Sequence, residues 1–294
     1  MDFNLCNLSQ IQDLMRIFKL SFRKEFGQNF LTDEDVVRTI AQVCAEKDQD
    51  TILEIGPGIG TLTRFLCERY PEVVAVEIDK SLIPVLRYTL NDFRNVTIVE
   101  GDILKLNLEE LLASSFQRGP VSVCANLPYY ITTPILMELL ESRIPFSKIT
   151  VMVQKEVAQR ICAPVGGKDC GAITAVVHYF GKAELLFDVP ADRFVPAPKV
   201  DSSVMQITLH KEKPVQPRDE AFFFEVIKGA FGQRRKTLPN ALSLHFPSFD
   251  KDRIPGILAS MGLDERIRGE RLTLEQFCTL SDLLLEHFGN GKQA

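Results

Sequence analysis

The sequence predicts an α/β fold: a doubly wound, Rossmann-like sheet with a small C-terminal helical domain. Three observations point to it. Between residues 50 and 155, short runs rich in Val and Ile alternate with amphipathic stretches. A glycine loop directly follows the first of those runs, and beyond residue 220 the chain reads as helices only. Continuous apolar runs mark parallel strands buried under crossover helices. Open sheets of that kind bind their ligands outside the carboxyl ends of the strands.

The elements follow in order. Residues 8–20 form a short amphipathic helix. TILEI (51–55), VVAVEI (73–78), NVTIVE (95–100), VSVCAN (121–126) and KITVMVQ (148–154) are the strands of the parallel sheet, with helical stretches such as LTRFLCERY and ILMELLESR between them. ELLFDV (184–189) and SVMQITLH (203–210), after the helical AITAVVHYF, are expected to close the sheet as an antiparallel pair. HKEKPVQPRDE (210–220) is polar, holds two prolines and reads as a linker. Four helices complete the chain, in AFFFEVIKGAF, TLPNALSLH, RIPGILASMG and TLEQFCTLSDLLLEHF. The expected domains are an N-terminal extension (1–21), the sheet domain (22–210), a linker (211–220) and a helical domain (221–294).

Composition excludes several classes. With 45% hydrophobic and 25% charged residues the chain is ordinary for a globular protein. No apolar run reaches the length a bilayer requires, so no membrane association is expected. Asp2 and Asp13 interrupt the N-terminal stretch, which argues against a secretory leader and for a cytoplasmic protein. The seven cysteines are odd in number, scattered and never spaced C-x-x-C. That pattern fits reduced thiols and gives no reason to expect a disulfide framework or a metal site. A net charge of −5 excludes a uniformly basic nucleic-acid binder. Charge is nevertheless uneven: Arg16, Lys19, Arg23 and Lys24 cluster near the start, and the stretch from Lys228 through Arg234, Arg235 and Lys236 contains no acid.

The first strand runs into Glu54-Ile55-Gly56-Pro57-Gly58-Ile59-Gly60. Glycines here let the backbone turn sharply and approach a ligand, and the next helix offers its N-terminal amides. The second strand ends at Glu77, where a carboxylate can accept from both hydroxyls of a ribose. The third ends in Glu100-Gly101-Asp102, placing a second acid at the same sheet edge, able to accept from an exocyclic adenine amine. A nicotinamide dehydrogenase would want G-x-G-x-x-G spacing and a hydride-chemistry partner; this loop reads G-x-G-x-G. Together these residues resemble the cofactor site of the S-adenosylmethionine-dependent methyltransferases. On that resemblance Gly56 and Gly58 line the methionine part of the cofactor, Glu77 binds the ribose and Asp102 the adenine amine.

The fourth strand ends in Asn126-Leu127-Pro128-Tyr129-Tyr130, which projects into the same crevice. Pro128 stiffens the turn, so the Asn126 oxygen and the Leu127 carbonyl can be held side by side. Two acceptors suit the two hydrogens of an –NH₂ group conjugated to a ring, whose lone pair then turns toward an electrophilic methyl. Tyr129 would stack on the base and stabilise charge developing on the nitrogen. Tyr130 is read as a packing residue. No general base is required, since the alkylated amine sheds a proton to water, and catalysis rests on alignment and electrostatic fit.

Several blocks in order then resemble the ribosomal RNA adenine dimethyltransferases: FRKEFGQNFL (22–31), EIGPGIGTLT, VAVEIDK, EGDIL, NLPYYITTPI, VMVQKEVAQRI, FVPAPKVDSSV (194–204) and FGQRRKTLPNAL (231–242). The resemblance implies that Asn29 and Leu31 cap the cofactor pocket and that Asn126 also lies near the transferred methyl. It implies that Phe194 gives the flipped adenine a second aromatic face. The family converts two adjacent adenosines, in a hairpin loop near the 3′ end of small-subunit RNA, to N6,N6-dimethyladenosine. Macrolide-resistance enzymes share the catalytic blocks but act on large-subunit RNA; the RRKTL block resembles the small-subunit branch more. A protein-glutamine or DNA-adenine methyltransferase would share the amide–proline–aromatic logic without the FRKEFGQNFL and RRKTL blocks. A pure assembly factor would have eroded NLPYY or Glu77, and neither is eroded. Pro239 departs from the family and is expected to shift a helix boundary.

Because a base inside a duplex cannot present its amine to a buried methyl, the target must sit in a loop or be flipped out. Arg23 and Lys24 on one side, and Arg234, Arg235 and Lys236 on the other, are expected to hold RNA phosphates. The implied partner is small-subunit RNA or its particle, acted on by a monomer.

Overall fold

The computed structural model describes residues 4–20, 27–47, 50–142 and 144–289. Its strands are β1 (Phe30–Leu31), β2 (Thr51–Ile55), β3 (Glu72–Glu77), β4 (Val96–Glu100), β5 (Val121–Asn126), β6 (Phe146–Gln154), β7 (Gly181–Val189), β8 (Phe194–Val195) and β9 (Ser202–Leu209). The first helices are α1 (Leu8–Ile17), α2 (Glu34–Val43), α3 (Thr61–Arg69), α4 (Ile83–Thr89), α5 (Leu108–Phe116) and α6 (Thr132–Glu141). They are followed by α7 (Lys155–Ile161), α8 (Ala172–Phe180), α9 (Glu220–Phe231), α10 (Leu238–His245), α11 (Ile254–Ser260) and α12 (Leu274–Phe288). Two compact units divide the chain: Met1–Ala158 with Glu184–Leu209, and Gln159–Ala183 with His210–Ala294.

Seven strands form one sheet in the order β4-β3-β2-β5-β6-β9-β7. The pairs β4/β3, β3/β2, β2/β5 and β5/β6 are parallel, and β9 joins β6 antiparallel. This is the predicted doubly wound sheet. Its core strands β2 and β5 are buried along almost their whole length, which explains why the sequence shows continuous Val and Ile there rather than alternation. From β2 the chain winds outward through β3 to β4, then returns to place β5 on the other side of β2. The strand order reverses between β2 and β5, where a doubly wound sheet opens a crevice.

Register levels the strand ends. Ile55 lies opposite Ala125 on one side and Val76 on the other, and Glu77 opposite Glu100. The residues that follow, Gly56, Gly101 and the NLPYY turn, therefore leave the sheet along one edge. Gly56 N donates to Val76 O at 2.9 Å, and Gly101 N to Glu77 O at 2.9 Å. Leu127 N donates to Met152 O at 3.1 Å, extending the ladder one residue past β5. A separate two-stranded ladder joins β1 to β8, with Phe30 opposite Val195 and Leu31 opposite Phe194. Two-residue strands carry no periodicity, so this pairing is invisible in the sequence pattern.

Local chemistry starts the helices. Asn7 caps α1 by accepting from Ser9 N and Gln10 N, and Ile11, Leu14 and Met15 bury one face of it at helical spacing. Asp33 caps α2, whose first turn carries Glu34 and Asp35 beside the positive end of the helix dipole.

The second unit is helical around α9, which packs against α8, α10 and α12. Phe222, Phe246, Phe249 and Phe288 form a run of rings, with centroids 4.5 Å apart for Phe246 and Phe249 and 4.6 Å for Phe249 and Phe288. Pro239 is the second residue of α10 and is buried. In the first turn a missing N–H costs nothing, so proline is accommodated there. Among the described residues no helix is long and apolar enough to cross a membrane.

Candidate active site

A cleft opens at the β2/β5 reversal. Of the expected cofactor residues, Asn29, Leu31, Gly56, Gly58, Glu77 and Asn126 line it. So do Leu127, Pro128 and Tyr129 of the turn, and Phe194. Residues spread over 166 positions of sequence thus meet in one place because β2, β3 and β5 end level and β8 pairs with β1. Asp102 lies in an adjoining apolar hollow, which shares Gly56, Ile78 and Pro128 with the cleft. Arg234, Arg235 and Lys236 are exposed on the turn between α9 and α10, in the second unit. Arg23 and Lys24 lie outside the described residues.

The glycine loop is built on left-handed backbone. Gly56 has φ of +70° and Gly58 of +63°, conformations an L side chain adopts only at a cost. Their surroundings differ. A Cβ on Gly58 would stand 3.1 Å from the Phe30 ring, whereas one on Gly56 would meet nothing within 4 Å. Gly58 is thus a packing requirement, and Gly56 keeps open space at the floor of the cleft.

Glu77 is 4% exposed and has each oxygen engaged by the main chain. Its Oε2 accepts from Gly58 N at 3.0 Å and its Oε1 from Asp79 N at 2.8 Å. Burial pushes its pKa above the ordinary carboxylate value, and the two amides pull it back. Each oxygen keeps a second lone pair for a ribose hydroxyl. Asp102 caps its own turn by accepting from Leu104 N at 3.1 Å and pairs with Lys105 at 3.3 Å.

Glu54, within the block EIGPGIG but not singled out from sequence, joins the candidate site. It lines the cleft at 1% exposure, and its Oε2 has no hydrogen-bond partner among the described residues. Burial raises its pKa to about 8, with the neighbouring Thr63 hydroxyl lowering it and the nearby Glu77 raising it further. An acid inside an otherwise apolar strand run was the available signal, because a buried carboxyl needs a reason.

The residues before β2 lie across the site. Asn126 Nδ2 donates to the Asn29 carbonyl at 3.3 Å, and Asn29 Nδ2 to the Gly27 carbonyl at 3.1 Å. A Cβ on Gly27 would stand 3.2 Å from Pro128 Cβ. Gln28 Nε2 reaches Asp79 Oδ2 at 2.8 Å, fastening the same segment to the end of β3. With one Nδ2 hydrogen engaged by Asn29, Asn126 keeps Oδ1 as its acceptor. Tyr129 is half-buried and its phenol lies 2.8 Å from Ser202 Oγ. Phe194 is only 3% exposed. Tyr130 corrects the packing expectation: it is 61% exposed, because the turn directs Tyr129 inward and leaves its neighbour at the rim.

The residues present fit S-adenosylmethionine. Open space at Gly56 accommodates a ligand chain, the unpartnered Glu54 oxygen suits an ammonium, and the Glu77 and Asp102 carboxylates suit a diol and a ring amine. Among the described residues no group of side chains is arranged to hold a metal.

Fold and site together define a Rossmann-like methyltransferase. A dimethyladenosine transferase from Plasmodium falciparum superimposes with a TM-score of 0.71 at 25% identity, covering 89% of this chain and 98% of that one. The 23S rRNA methyltransferase ErmE does so with a TM-score of 0.66 at 25% identity, covering 86% and 98%. The particular family is fixed by sequence: the model of the ribosomal RNA adenine dimethylase family matches residues 19–284, and this chain belongs to that family. Ribosomal RNA small subunit methyltransferase A of Streptococcus pneumoniae (strain P1031) is 48% identical over 268 residues, 90% of this chain and 92% of that protein. Its namesake in Alkaliphilus metalliredigens is 43% identical over 273 residues, 93% and 95% of the two chains.

Proposed function

We propose that this protein transfers methyl groups from S-adenosylmethionine to the N6 amines of two adjacent adenosines in a hairpin loop near the 3′ end of small-subunit ribosomal RNA, giving N6,N6-dimethyladenosines. The observation that carries the reading is the placement of the Asn126 amide, Leu127 and Tyr129 in the same cleft as Gly56 and Glu77. Relatives that match over nine-tenths of the chain carry the small-subunit name, which favours that target over the large-subunit one.

S-adenosylmethionine, when bound, supplies an electrophilic methyl. Everything else is the work of this chain's residues. Gly56 and Gly58 admit the methionine part, Glu54 faces its amino end, Glu77 takes the ribose hydroxyls, and Asp102 the adenine amine. Asn29 and Leu31 close the pocket from above. The Asn126 Oδ1 and the Leu127 carbonyl accept the two hydrogens of the target amine, which holds its nitrogen lone pair out of the ring plane. Tyr129 stacks on the base, worth on the order of 1–3 kcal/mol, with Phe194 as the second aromatic face. Alignment of nitrogen and methyl supplies the rate, and the alkylated nitrogen loses its proton to water.

The sheet domain (22–210) does this chemistry, while the helical domain (221–294) holds RNA or ribosome through Arg234, Arg235 and Lys236; Arg23 and Lys24 contribute further phosphate contacts. The protein acts as a monomer on the small ribosomal subunit particle in the cytoplasm and contributes to its biogenesis. Incubating undermethylated particles with the protein and S-adenosylmethionine, then measuring the RNA by mass spectrometry, tests the proposal; absence of dimethyladenosine would overturn it.

A further inference from the structure

Tyr129 stands at the end of a turn, and its aromatic plane is useful only if it is fixed. A tyrosine ring turns about a broad torsion, so an untethered phenol would sample many planes. Here the phenol oxygen lies 2.8 Å from Ser202 Oγ. Ser202 is 1% exposed and begins β9, where it pairs with Gln154 of β6.

Both flanks of Ser202 are fastened. Asp201 Oδ1 accepts from Ala191 N at 3.0 Å, and the Asp201 carbonyl accepts from Lys155 N at 3.0 Å. On the other side Ser203 Oγ donates to Asp188 Oδ1 at 2.6 Å, and Asp188 is paired with Lys155 at 2.6 Å. The hydroxyl that meets Tyr129 thus comes from a backbone position tethered on both sides. A buried hydroxyl calls for a partner, and any nearby carbonyl would satisfy it; here the partner is the one aromatic side chain of the turn that faces the cleft.

We infer that Ser202 is a positioning residue for the reaction proposed above: its hydroxyl holds the Tyr129 phenol and so sets the plane of the ring that meets the target adenine. The stretch from Phe194 to Val204 then has two jobs, giving the site one aromatic at Phe194 and orienting the other through Ser202.

The test is a double-mutant cycle on the full chain, using undermethylated small-subunit particles and S-adenosylmethionine. Ser202→Ala and Tyr129→Phe each remove the bond from one side and should each lower kcat roughly 3- to 10-fold. The double variant should fall no further than the weaker single one, because both changes delete one interaction. Titration calorimetry should give S-adenosylmethionine Kd values within about twofold of the parent, since neither side chain is needed to seat it. Wild-type kcat in Ser202→Ala, or losses that multiply in the double variant, would overturn the inference. Should Ser202→Ala fail to fold, Tyr129→Phe decides alone, and unchanged kcat there overturns it equally. If the parent protein itself methylates no RNA, it is the proposed function that fails.

Discussion

Asn126 Nδ2 donates to the backbone carbonyl of Asn29 across 97 positions of sequence, at 3.3 Å. That bond decides which end of the Asn126 amide faces the cleft. The segment expected to cap the cofactor also orients the residue expected to hold the substrate amine, so the two halves of the site are set by one contact.

Replacing Asn126 with Ala should therefore separate chemistry from cofactor binding. Turnover should fall by a hundredfold or more, on the order of the loss seen when one preorganised transition-state contact is removed. Cofactor affinity should change by less than about tenfold, as one hydrogen bond of the Asn29 segment is lost. Single-turnover kinetics beside cofactor titration gives both numbers; equal losses in each would contradict the assignment.

The two glycines of the loop should respond differently to Ala. Both changes strain a left-handed backbone, at about 1–2 kcal/mol. Gly58→Ala also drives a Cβ toward the Phe30 ring, 3.1 Å away, and should show the larger drop in melting temperature. Gly56→Ala meets no protein atom within 4 Å, so its extra penalty should appear in cofactor affinity instead. Thermal melts with and without S-adenosylmethionine distinguish the two.

Glu54 predicts a pH dependence of stability in the cofactor-free protein. Its folded pKa of about 8 lies above the ordinary 4.5, so the folded state keeps a proton that the unfolded chain releases. Stability from this group is complete below 4.5 and declines as pH rises toward about 8, by at most about 1.4 kcal/mol per pH unit. Glu54→Gln cannot ionise. Its stability relative to the parent should increase from pH 5 to pH 8, as followed by urea unfolding at each pH; a constant difference would contradict the buried, neutral carboxyl.

Arg234 and Arg235 are exposed in the second unit, away from every residue of the cleft in sequence and unit. Changing both to Ala should weaken RNA or particle binding and flatten its log–log salt dependence by about 1.5, the effect of losing two phosphate contacts. S-adenosylmethionine affinity should be unchanged; a large loss of it would contradict the separation of roles.

Much of this was legible in the sequence because the parallel sheet writes itself in continuous apolar runs and places the candidate site residues where those runs stop. TILEI, VSVCAN and the other strands of the parallel sheet stand within two residues of their predicted limits, whereas β7 begins three residues before ELLFDV, and Gly56, Glu77 and Asn126 follow from being at or next to strand ends. What could not be read depends on contacts distant in sequence. The pairing of Leu31 with Phe194 involves two-residue strands, and the Tyr129–Ser202 bond joins side chains 73 positions apart. Tyr130 was misread because adjacent turn residues point different ways, which an apolar letter does not reveal. Glu54 was visible as an anomaly, a charge within TILEI, but its buried state required the fold.

The central claim is that Asn126, Leu127 and Tyr129 present an adenine amine to S-adenosylmethionine on small-subunit RNA. Mass spectrometry of the fragment spanning the 3′ hairpin, after undermethylated particles react with this protein, measures it directly. The account predicts two adjacent N6,N6-dimethyladenosines with the parent protein and a large loss of both with Asn126→Ala. Unmodified adenosines with the parent, or full dimethylation by Asn126→Ala, would contradict it.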